Sequence, residues 1–279
     1  MKAMLLSLAL LSATLTTTSC SKDLIRSATR AFASDSRTIK GSGHLVTKAQ
    51  DFSTTPFTAL SLPSTLDAEF IPTAGAMRVE VITSDNVQQY ARIEVAKERL
   101  VVAWDDHVNI DDEKAVVRIY APTLEAFELS GTANCVATAA FTAKDLRIDN
   151  TGTGDLKTLA LVKARAFSLH NSGTGGCRFH SLQITEGVET RNTGTGENTF
   201  ELLHATRLHM LNSGTGDDKI LNLKTDVVSV TNSGTGDTHL SGEAKEVSLV
   251  LSGTGDVNIR QLKHASLSAQ NSGVGSVIK

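Results

Sequence analysis

The sequence predicts an all-β fold, a parallel β-helix (β-solenoid) with coils of about 20 residues, preceded by a less regular β-rich part that caps the stack. Three observations predict it. A Ser or Thr followed by Gly, usually Thr-Gly and an acid, recurs eight times between Ser130 and Gly275, with first glycines at Gly131, Gly152, Gly173, Gly194, Gly214, Gly234, Gly253 and Gly273 and steps of 21, 21, 21, 20, 20, 19 and 20 residues. Apolar residues around the phrase alternate with polar ones, which is the period of a strand and not of a helix. All four prolines, Pro56, Pro63, Pro72 and Pro122, precede this tract, as a backbone whose N–H groups all serve inter-coil ladders requires.

From the amino end, Lys2 is followed by the apolar run Met4 to Leu15, the length of a signal-peptide core and too short for a mature membrane span. Export is therefore expected, with residues 1–19 as the signal peptide. Thr17-Thr18-Ser19-Cys20 resembles a bacterial lipoprotein processing site, with Thr17 where an aliphatic residue is usual. Lipidation of Cys20 would anchor the chain to an outer membrane or cell surface. Residues 20–40 carry no strand pattern and read as a tether.

Residues 41–122 read as irregular and β-rich. Strands are expected at His44 to Lys48, Thr58 to Leu62, Asp67 to Ile71, Met77 to Ile82, Ala91 to Val95, Arg99 to Trp104 and Ala115 to Tyr120, with no helix. Asp105, Asp106, His107, Asp111, Asp112 and Glu113 fall between two of these and read as a solvated hairpin loop instead of a metal site.

Residues 123–279 read as about eight coils. Pairs such as Ile148 and Leu146, Leu169 and Phe167, or Val230 and Val228 stand four and six residues before a repeat glycine and define one inward face. Phe179, Phe200, Ile220, Leu240 and Ile259 stand six residues after it, and Leu161, Leu182, Leu203, Leu223 and Leu262 nine after, so a second strand follows each corner. Stacking places Asn150, Asn171, Asn192, Asn212, Asn232 and Asn271 in one column, broken by Leu129 and Leu251, whose amides are expected to bond along the axis. The glycines are expected to supply positive φ at the corner. Cys135 and Cys177 share a column two coils apart, about 9.6 Å, beyond an unstrained disulfide; they should be free buried thiols with Leu156 between them.

A net charge of -3 leaves no basic face for nucleic acid, and that class of partner is set aside. The tract has no Trp or Tyr, so Tyr90, Trp104 and Tyr120 in the first part are the candidate contact aromatics for a sugar or an apolar partner. Asp155, Glu197, Asp217, Asp237 and Asp256 form a column of corner acids. Neighbouring carboxylates about 5 Å apart repel by about 0.8 kcal/mol in bulk water, so something offsets that. A calcium or ligand rail is one reading and acids bonded to turn N–H groups the other. No cofactor, no metal site and no catalytic residue are assigned. The histidines lie in different coils and give no Ser-His-Asp order.

Gly41-Ser42-Gly43 before a strand, Phe57 leading an alternating strand, Leu66 to Ile71, Met77 to Ile82 and the tandem Ser-Gly coils together resemble the bacterial family called putative auto-transporter adhesin, head-GIN domain. The likeness spans about residues 40 to 279. It implies a β-solenoid and a cell-surface role, and no reaction. This chain departs from many relatives in placing Thr-Gly-Asp where they place Ala-Ser-Asp or similar.

The expected function is a non-catalytic, adhesin-like surface interaction module with an unidentified protein or glycan ligand. Homo-oligomerisation through the open C-terminal coil is a further expectation. Two other readings stand beside it: a polysaccharide-degrading β-helix enzyme, for which Lys157, Arg178 and Lys219 near the acid column supply basic groups, and a structural envelope spacer.

Overall fold

The chain's structure is a computed structural model that describes residues 37–279. The expected signal peptide, Cys20 and nearly all of the tether lie outside the described residues. The fold is a β-solenoid of about seven turns, the eight glycine corners bounding seven full coils. A typical coil runs from strand Ala166–Asn171 through the corner Ser172 to Gly175 into strand Cys177–Ile184, then to the next coil's Gly187–Asn192. Later coils pass from second strand to first without a break, as in Asp218–Asn232 and Thr238–Leu251.

All coil-to-coil pairings in this tract are parallel, and equivalent residues stack directly. Asn150 pairs with Asn171, Asn171 with Asn192, Asn192 with Asn212, Asn212 with Asn232, and Asn232 with Leu251. Cys135 and Cys177 each pair with Leu156 from opposite sides and are free and buried. The core runs along the axis as one continuous cluster. Phe179 stacks on Phe200, with ring centroids 5.0 Å apart and planes 17° from parallel, and Phe167 meets Phe179 edge-on at 5.2 Å. Aromatic pairs of this kind contribute about 1 kcal/mol beyond the area they bury.

One expected core position moves. Leu161 pairs with Ser181, while Val162 takes the place opposite Leu182, because the ladder shifts register between Thr158 and Leu161. Val162 is fully buried and Leu161 is not. The extra residue of a 21-residue coil is absorbed there as a bulge.

The first part joins the same stack out of chain order. Strand Ala59–Leu62 lies between Ala126–Leu129 and Arg99–Trp104, parallel to both. Strand Asp67–Pro72 lies between Cys135–Ala137 and Val116–Ala121, again parallel. Antiparallel partners then close the edge: Ala91–Ala96 on Arg99–Trp104, Arg78–Ser84 on Val116–Ala121, and Leu45–Asp51 on Arg78–Ser84. Lys97 and Glu98 turn the first of these hairpins with φ of 51° and 60°, the left-handed pair a tight two-residue hairpin needs. The outermost strand carries Lys48 and Asp51 on an exposed face, which discourages further strand addition.

Two segments differ from expectation. The acid-rich stretch after Trp104 contains a strand, Val108–Asp111, and its partner is Arg37–Lys40, the end of the expected tether. Ile39 and Ile110 pack against the core, and that apolar contact outweighs the surrounding charge. The only helical turn among the described residues is a short 3-10 turn, Gln88–Tyr90.

Candidate functional site

The corner is built by its asparagines. Each buried Asn side chain closes its own turn: Asn171 Oδ1 accepts the Gly173 N–H at 3.3 Å, and its Nδ2 donates to the Gly175 carbonyl at 2.9 Å. Asn150, Asn192, Asn212 and Asn232 repeat this pair of bonds, as does the exposed Asn271 in the last coil. The expected amide-to-amide ladder within the column is therefore replaced by side chain to backbone bonding. The carbonyl of the second corner glycine, such as Gly175, has no backbone donor among the described residues at the height of each amide, and a buried polar group takes the nearest partner.

The glycines also act differently from expectation. Among the described glycines only Gly43 and Gly242 have positive φ. At the corner a Cβ on Gly152, Gly173, Gly194, Gly214 or Gly234 would overlap the carbonyl oxygen of the glycine one coil before. Glycine is required there by close approach of stacked backbones, not by a left-handed conformation.

These glycines floor an open trough of about 950 Å³. One rim is a column of Ser or Thr hydroxyls, from Ser130 through Ser172 to Ser233, and the other is Thr132 through Thr174 to Thr254. Seven rungs at the inter-strand spacing make it roughly 29 Å long. No hydroxyl lining it bonds another group of the chain among the described residues, so the trough is a ladder of unengaged, uncharged donors and acceptors.

Beyond the second hydroxyl column stands the acid column. Asp155 Oδ1 accepts the Gly176 N–H at 2.8 Å, Asp217 the Asp237 N–H at 2.9 Å, Asp237 the Asp256 N–H at 2.8 Å, and Asp256 the Ser276 N–H at 2.7 Å. Each carboxylate caps an N–H of the next coil, which offsets repulsion along the rail. Glu197 differs. It reaches Lys219 Nζ at 2.5 Å and Thr199 Oγ1 at 2.8 Å, and the Lys219 ammonium, outweighing partial burial, holds its carboxyl below the usual range. Arg178 is engaged by Glu201, whose other oxygen meets His180 Nδ1 at 2.8 Å. No group of three or more metal-ligating side chains is found among the described residues.

The candidate aromatics do not form one surface. Trp104 is 6 % exposed and belongs to the core, where no sugar face could stack on it. Tyr90 packs against that core, and Tyr120 donates to Glu80 at 3.0 Å while the Arg78 guanidinium lies 3.7 Å from its ring centroid. Asp218 is a site residue that the sequence does not single out. It is buried, four residues after Gly214, in the column of Cys135 and Cys177, and that spacing was the signal that could have placed it inside.

A stacked parallel solenoid with a continuous polar trough defines a repeat protein that presents an extended surface. Within that class the chain belongs to the putative auto-transporter adhesin, head GIN domain family, whose model matches residues 56–217 and 179–278. No curated protein matches the chain. Several crystal structures share its fold, three of them as follows. A putative adhesin from Parabacteroides distasonis is 19 % identical with a TM-score of 0.73, covering 86 % of this chain and 98 % of its own. A putative lipid binding protein from the same organism is 14 % identical with a TM-score of 0.75, covering 86 % and 100 %. A putative adhesin from Parabacteroides merdae is 18 % identical with a TM-score of 0.67, covering 88 % and 100 %.

Proposed function

We propose that this protein is an exported, lipid-anchored, non-catalytic module at the cell surface that holds an extended polar polymer, a glycan chain or an extended peptide, along its hydroxyl trough. The observation that carries this reading is the trough itself: a straight, uncharged run of free hydroxyls at one repeat per coil suits a ligand that also repeats. The anchor at Cys20 rests on the sequence alone. The non-catalytic part draws support from the neighbouring acids, most of which are engaged by backbone N–H groups or Lys219. A second copy of the chain is a further proposed partner, because the strand Val257–Asn271 is paired on its outer side only at Val257 and Asn258.

A glycan array with the protein, followed by lyase and hydrolase assays on each hit, tests the reading. Binding without turnover, lost when Thr174, Thr195 and Thr215 are changed together to Val, is expected. Turnover of a bound polysaccharide would instead make the protein an enzyme, and binding that survives the triple change would remove the trough as the site.

A further inference from the structure

The column that begins each coil's second strand runs Ala68, Cys135, Leu156, Cys177, Asn198, Asp218, Thr238 and Val257. Its polar members are enclosed: Asn198 and Asp218 are 0 % exposed and Thr238 1 %. Asn171 Nδ2 donates to Asn198 Oδ1 at 3.0 Å, and Asn198 Nδ2 donates to Asp218 Oδ1 at 2.8 Å, with Asn192 Nδ2 a longer donor at 3.4 Å. There the chain of bonds stops. Asp218 Oδ2 and Thr238 Oγ1, on adjacent coils and paired in register, are both buried without a hydrogen-bond partner.

Among the described residues no cation pairs with Asp218, since its chain neighbour Lys219 is engaged by Glu197 and Asp217. The preceding coil offers it the neutral Asn198 and Asn192, and the following coil Thr238. The ionisable groups near it are the adjacent Asp217, whose charge disfavours a second carboxylate, and the Cys177 thiol two rungs away. A buried carboxylate with one oxygen unbonded and no counter-charge is costly, whereas a carboxylic acid carries a proton that needs one acceptor. The unfilled acceptor on the next rung is Thr238 Oγ1.

We infer that Asp218 is a carboxylic acid inside the folded stack, that its Oδ2–H is donated to Thr238 Oγ1 after a small side-chain rotation, and that this proton is a pH-sensitive latch between two coils of the solenoid. Burial pushes the group up to about 7, against 3.8 when free. An acid whose folded value is raised stabilises the fold most at low pH. That contribution falls as pH rises from the unfolded value through the folded one, and the latch is open above neutrality. The coils carrying Asp218 and Thr238 then loosen while the coils before Cys177 do not.

The test compares the full chain with Asp218→Asn and Thr238→Val from about pH 5 to about pH 9. The melting temperature of the unaltered protein should fall as pH rises toward about 7, and amide exchange should quicken in the segments around Asp218 and Thr238. Asp218→Asn, which keeps the shape and continues the amide chain from Asn198, should lose that slope and melt higher at alkaline pH. Thr238→Val should weaken the protein at acid pH more than at alkaline pH. The infrared band of a protonated carboxyl, present at about pH 6, where ordinary carboxylates are ionised, in the unaltered protein and missing in Asp218→Asn, reads the proton without relying on any variant's stability. Equal pH slopes with and without Asp218, absence of that band, or a Thr238→Val loss that is the same at all pH values would each overturn the latch.

Discussion

The carbonyl oxygen of Gly214 occupies the space that a side chain on Gly234 would need. That one relationship, repeated from coil to coil, explains why the repeat phrase holds glycine at a position whose backbone dihedrals any residue could adopt. Gly234→Ala should therefore lower stability by about 3 kcal/mol, because the overlapped atom is backbone and cannot swing away. Gly75→Ala is the control, since its Cβ would meet only Thr73 Oγ1 at 3.5 Å, and a change within about 0.5 kcal/mol is expected. Denaturant melts of the two variants decide it: equal losses would mean that the corner backbones separate easily.

Asn212 is the sole partner of the Gly214 N–H and donates to the Gly216 carbonyl at 2.8 Å. Asn212→Ala removes both bonds inside the core and should cost about 3 kcal/mol. Asn212→Asp keeps the acceptor, loses the donor and adds a charge, so it should be the worse of the two at neutral pH. An aspartate variant as stable as the native protein would mean that the Nδ2 bond contributes nothing.

Cys135 and Cys177 are fully enclosed, and burial pushes both thiols up to about 12. Thiolate is the reactive form, so neither should react with an alkylating or disulfide reagent while the stack is closed. Labelling followed by mass spectrometry should show modification only under denaturant, and oxidation should not join the two, since Leu156 separates them. Rapid native-state labelling would show that this region opens locally.

The acid column poses a test for calcium. Because most of its carboxylates already cap an N–H of the following coil, the expected melting temperature is the same with millimolar-range calcium and with EDTA. A rise with calcium that Asp217→Asn and Asp237→Asn abolish would assign the rail a cation.

Legibility in the sequence followed locality. The Asn column, the separated cysteines and the inward pairs such as Phe167 and Leu169 could be read because each coil repeats the last, so spacing along the chain is position in space. Leu161 falls outside the core position its spacing predicts because one additional residue in a coil moves everything beyond it to the other face, and only packing decides where that residue is absorbed. Trp104 is legible only as a candidate contact aromatic because its burial depends on strands far away in sequence, and the burial of Asp218 has no local signature because a charged residue ordinarily faces water.

The sequence alone determined the stacked architecture, the residues that make each corner and the register of the regular coils, since a periodic chain has one low-energy way to superimpose its apolar faces. Tertiary structure decided the rest. The strand Ala59–Leu62 sits between partners roughly 40 and 65 residues away in the chain, Arg37–Lys40 finds Val108–Asp111, and Asp218 turns inward toward Thr238. Those pairings follow from which surfaces are left to cover once the repeat has formed, and no local pattern records that.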